Sequence, residues 1–174
     1  MHLEIEHVLV HDFIIQLYDS SHQMDVLFVS RHFTLIVEVK SIIGEISLCK
    51  ARHQFVRQRE DGAVEGFRNP LDQVCRHVRA LGQLIGTIIP IEYAVVFSNV
   101  KSILRNVPEH EPVFHVSGLE RYVNRLLSHH AICLGRGEFD ELVQHLKTVR
   151  REALFHPTLD RRRIINGVLC THCG

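Results

Sequence analysis

With 174 residues, 45% of them hydrophobic and 23% charged, the chain has the composition of a globular domain with its own core and room for a small appendage. Lys plus Arg and Asp plus Glu each number 20, so net charge points neither toward nor away from a polyanionic partner. No apolar run approaches the roughly 20 residues of a membrane span. The stretch "MHLEIEHVLVHDF" carries acidic residues where a secretory signal is basic, so the expectation is a cytoplasmic protein.

In chain order, "HVLVHDFIIQLY" (7–18), "QMDVLFVS" (23–30), "FTLIVEVK" (33–40) and "GEISLC" (44–49) are rich in β-branched and aromatic residues and read as four strands. "EDG" (60–62) marks a hairpin turn between "HQFVRQR" and "AVEGF". Asn69 then reads as an N-cap with Pro70 at the first helical position. Apolar residues at Leu71, Val74, Cys75, Val78, Leu81, Leu84 and Ile85 keep a helical period for about four turns. "IEYAVVFSN" (91–99) reads as a strand covered on both faces, "PVFHVS" (112–117) as a short strand, and 118–130 and 138–155 as helices. The order predicts an α/β or α+β fold around a mixed sheet. The expected division is a domain over 1–130, a helical extension over 131–158 and a basic tail over 159–174.

Three charges interrupt the apolar runs of the second and third strands: Asp25, Glu38 and Lys40. Charge in such places must be paired or must hold a metal. Residues two apart share a strand face, so Glu38 and Lys40 lie together. If the two strands pair antiparallel, Asp25 and Glu38 converge at one end of the hairpin. Two carboxylates so placed repel unless a hard cation lies between them, and oxygen ligands suit Mg²⁺ or Mn²⁺. A lysine beside them can orient water or offset charge developing on a phosphate. Gln23, two residues before Asp25, either assists this site or is an exposed strand glutamine.

The pattern D-x12-E-V-K after an apolar strand resembles the active-site signature of the PD-(D/E)xK nuclease superfamily. "HQMDVLFVSRHFTLIVEVKSIIGEI" more specifically resembles the nuclease-related domain (NERD) family. "FRNPLDQVCRHVRAL" (67–81) and "PIEYAVVFSN" (90–99) extend the resemblance, which spans roughly residues 8–130. It implies a restriction-endonuclease-like core, a mixed β-sheet flanked by helices, acting as a Mg²⁺- or Mn²⁺-dependent deoxyribonuclease. It assigns Asp25 and Glu38 as metal-binding carboxylates and Lys40 as the catalytic lysine. Gln73 and His77 lie at i and i+4 of the helix after Asn-Pro; Gln73 becomes a candidate hydrogen-bond partner of an active-site carboxylate or a DNA phosphate and His77 a candidate phosphate contact, with a solvated polar face as the alternative. Only ten residues precede His11-Asp12, fewer than the helix with which relatives begin. A catalytically impaired nucleic-acid-binding module is therefore the rival expectation.

Cys49, Cys75 and Cys133 are expected to be reduced, partly buried thiols. Cys170 and Cys173 form "CTHCG", half of a tetrahedral Zn²⁺ site; the remaining ligands would come from elsewhere, including a second chain in a homodimer. The alternative is a metal-scavenging tail.

Overall fold

The computed structural model describes residues 5–49 and 51–151. Chain order begins with β1 (His7–Leu17), β2 (Ser20–Ser30), β3 (Thr34–Lys40), β4 (Gly44–Cys49), β5 (Gln54–Gln58) and β6 (Val64–Phe67). There follow α1 (Pro70–Ile85), β7 (Ile91–Phe97), β8 (Ser102–Asn106), β9 (Val113–His115), α2 (Leu119–His129) and α3 (Arg136–Val149). A short 3-10 turn over Val116–Gly118 leads into α2.

Among the described residues the strands form two sheets, not one. The larger has order β1-β2-β3-β7-β9, antiparallel through β3 and parallel beyond it. The smaller has order β6-β5-β4-β8. Gly44, at φ 119°, starts the strand that leaves the first sheet for the second; a Cβ there would lie 2.6 Å from the Gln58 carbonyl oxygen. Glycine alone satisfies both the dihedral and the approach.

Helices cover both faces of the larger sheet, so the fold is α/β with a mixed sheet. On one face Leu81 of α1 and Phe139, Leu142 and Leu146 of α3 join Phe13, Leu27 and Ile36. On the other, Tyr122, Val123 and Leu126 of α2 join Phe28, Leu35 and Ala94. β7 alternates accordingly, Ala94 and Val96 toward α2, Val95 and Phe97 toward a third cluster with Leu71 and Val74 of α1 and Ile46 and Phe55 of the second sheet. That alternation is why the β7 sequence is apolar throughout.

Helix α1 begins where the sequence places it: the Asn69 side chain accepts from the Leu71 amide at 2.9 Å, with Pro70 following. Asn69 is buried, so Asn69→Ala is expected to lower stability by about 1 kcal/mol, read as a shifted urea midpoint with unchanged slope. Helix α3 is shorter than expected and ends at Val149, with Arg150 leaving the helix at φ −57° and ψ 129°. Cys49 and Cys75 are half-buried free thiols, whereas Cys133 is exposed. Cys170 and Cys173 lie outside the described residues.

Candidate active site

The three-residue turn between β2 and β3 sets an antiparallel register in which Val26 faces Val37. Asp25 and Glu38 are the next pair along, where the ladder ends. In place of that rung, the Val39 amide donates to Asp25 Oδ2 at 2.7 Å. Glu38 shares the parity of Ile36, which packs on the α1 side of the sheet. Lys40 follows on that same side. Its Nζ donates to Glu38 Oε1 at 2.5 Å and to Gln73 Oε1, on the second turn of α1, at 3.2 Å. The structure thus brings together Asp25, Glu38, Lys40 and Gln73.

Asp25 also sits where the inward face of two strands changes parity. In β1 the residues packed on the α1–α3 side are Val8 and Val10, then Phe13, Ile15 and Leu17. The shift falls at Asp12, a non-glycine residue at φ 48°. Asp12 stands opposite Asp25, and the pairing of β1 with β2 skips that rung. Irregularities of this kind re-aim a side chain next to functional sites. Gln23 uses its Nε2 to donate to Asp12 Oδ1 at 3.2 Å, not to the acid pair. Sequence reasoning did not give Asp12 a role; its one signal is a charge within the apolar run "HVLVHDFII".

Glu38 is 1% exposed, and its Oε2 has no hydrogen-bond partner among the described residues. Burial raises its pKa, Lys40 opposes that rise, and the charge of Asp25 adds to it. An orphaned carboxylate oxygen beside a second carboxylate is a donor set that fits a hard divalent cation. Among the described residues no group of three His, Cys, Asp or Glu side chains is gathered as a ready-made cage. A two-carboxylate set suits Mg²⁺, which commonly keeps several waters and takes substrate oxygens as further ligands.

A cleft of about 770 Å³ adjoins the site, lined by Gln23 and Gln73 together with Ser20, His22, His53, Arg68, Arg76 and His77. His77 departs from the expected polar face: it is 6% exposed, packs edge-on near His22 and shows only a margin to the cleft. Burial lowers its pKa to about 4, with the positive charges of His22, Arg76 and Lys40 acting in the same direction. A second cleft of about 780 Å³ lies on the smaller sheet, where Arg57, Arg59 and Lys101 are balanced by Glu60, Asp61 and Glu65. Arg57 and Arg59 are both paired with Glu65 there. Its arginines are thus committed to the hairpin itself.

An α/β domain with a mixed sheet, helices on both faces and a strand-borne acid pair beside a lysine has the architecture of a nuclease-like protein. A family model described as nuclease-related domain matches residues 2–98, more than half of the chain. The chain belongs to the nuclease-related domain family. No curated protein and no solved structure matches it. No helix among the described residues is long and apolar enough to cross a membrane.

Proposed function

We propose that the chain is a metal-dependent nuclease that hydrolyses DNA phosphodiester bonds at Asp25, Glu38 and Lys40. The observation that carries this reading is the buried Glu38 carboxylate, with one oxygen on Lys40 and the other unpartnered among the described residues, opposite Asp25 one step beyond the last paired rung.

Asp25 and Glu38 are the residues that would hold Mg²⁺ or Mn²⁺. The bound ion would offset the repulsion between them and supply Lewis-acid polarisation of a phosphoryl oxygen. The Val39 amide fixes the Asp25 carboxylate, so its orientation costs little when the site is loaded. Lys40 supplies a positive charge and N–H donors toward an attacking water or the charge that grows on the phosphate in the transition state. Gln73 holds that ammonium from the helix side. Gln23 and the edge of His77 line the approach for substrate.

The test compares wild type with Lys40→Ala on supercoiled and linear DNA in Mg²⁺, Mn²⁺ or EDTA. Cleavage is expected with either metal, none in EDTA, and a loss of about 10²–10³-fold in the variant. Tight DNA binding with no cleavage by a folded wild type would replace the nuclease with a nucleic-acid-binding module of the same fold.

A further inference from the structure

The 770 Å³ cleft does not end at Arg76. A smaller one of about 240 Å³ shares Ser20, His22 and Arg76 with it and continues between α1 and the tip of the β1–β2 hairpin, past Arg79 to Tyr18. Together they form a track from Gln23 and Gln73 to the hairpin tip. Ser20 to Asp25 is five strand steps, roughly 17 Å, long enough for a few nucleotides of an unpaired strand.

Two independent features of this track point to the same ligand. The first is charge: among the described residues Arg68, Arg76 and Arg79 have no carboxylate partner, whereas Arg57 and Arg59, the two arginines lining the 780 Å³ cleft, are both paired. Asp72, the one carboxylate lining the track, is paired with His53 at 2.8 Å. The second is Tyr18, which is 91% exposed and occupies the first corner of the two-residue turn at φ 51°. Only a few per cent of non-glycine residues adopt a positive φ, and a bulky residue there is strained. An aromatic ring held in water by a strained turn, beside unpaired arginines, matches the stacking platform and cationic groove of single-strand binders.

We propose that this track receives a single-stranded nucleic-acid segment flanking the scissile phosphate, with Tyr18 stacking on a base and Arg76 and Arg79 holding phosphates. This rests on the nuclease reading for its placement beside the acid pair. It makes the preferred substrate one with unpaired nucleotides, such as an overhang or flap, because a base inside a duplex offers no free face to Tyr18.

The test measures binding of a labelled oligothymidylate and a blunt duplex of equal length, in EDTA, to wild type, Tyr18→Asn, Tyr18→Phe and Arg79→Gln. Asparagine tolerates a positive φ, so that variant removes the ring and leaves the turn. Wild type is expected to prefer the single strand. Tyr18→Asn should weaken that binding about tenfold, Tyr18→Phe should restore it, and Arg79→Gln should reduce the slope of log K against log salt by about 0.7. Equal affinity for the duplex, or single-strand binding unchanged in Tyr18→Asn, overturns the proposal. If wild type still cleaves with Mg²⁺ in that case, the nuclease reading stands alone. Tyr18-dependent binding without cleavage would keep the track and remove the nuclease. Neither binding nor cleavage would remove both.

Discussion

Glu38→Gln is expected to reduce DNA cleavage by on the order of 10³-fold while leaving the fold as stable as wild type or more so. The two effects have one origin. The Glu38 carboxylate is withdrawn from water on the α1 side of the sheet, and burial is the largest influence raising its pKa. A folded-state value above the unfolded one means that the native state favours the protonated form. The cost of the charge is therefore fully present above the folded-state value and is relieved as pH falls through it. Glutamine reproduces the neutral form with nearly the same shape. It retains an oxygen for Lys40, whose ammonium also keeps Gln73. What it loses is the anion that would hold a divalent cation with Asp25.

Cleavage rate on plasmid DNA and thermal midpoint, measured on the same preparation with and without Mg²⁺, check both halves. Added Mg²⁺ should raise the midpoint of wild type by mass action and leave that of Glu38→Gln where it was. A variant that cleaves at the wild-type rate would remove Glu38 from the chemistry. A variant that loses both activity and stability would make the carboxylate a structural partner of Lys40.

Much of this site could be read from residue order because it depends on local geometry. The three residues between β2 and β3 fix the pairing that sets Asp25 opposite Glu38, and a period of two then carries Glu38 to Lys40. The Asn69-Pro70 cap likewise fixes where α1 starts, and hence that Gln73 is on its second turn. Other features depend on partners distant in sequence. Strand β8, "SILRN", is short and half exposed, and it is a strand because it lies parallel to β4. The division into two sheets follows from what β4 meets after Gly44, which no periodicity reports. His77 was placed on the polar face by its chemistry, yet the helix wheel also puts it between Val74 and Leu81, three and four residues away, both buried. The left-handed Asp12 and Tyr18 were hidden because neither residue type announces a positive φ.

Acidification is expected to destabilise the wild type through His77, by about 3 kcal/mol in total between pH 6.5 and pH 4. The ring is 6% exposed, and its Nδ1 has no hydrogen-bond partner among the described residues. Its folded-state pKa of about 4 lies below the ordinary value of 6.5, because burial and the nearby positive charges disfavour the imidazolium. Above pH 6.5 both folded and unfolded chains leave this histidine neutral, and it has no effect on the pH slope. Below that, the unfolded chain takes up a proton that the folded chain refuses, so stability falls by about 1.4 kcal/mol for each pH unit until His77 itself titrates. By pH 5 the loss is about 2 kcal/mol. His77→Phe keeps a ring for the edge contact with His22, removes an unpartnered polar atom from the interior, and cannot titrate. The other histidines and the carboxylates are common to both proteins and largely cancel in the difference. Urea unfolding of the pair at pH 7.5, 6 and 5 should therefore show the variant gaining on wild type as pH falls. Parallel stability curves would mean that His77 takes up its proton in the folded state near the ordinary value of 6.5. It would then be available below that pH as a charged contact for phosphate in the cleft, which the buried neutral ring is not.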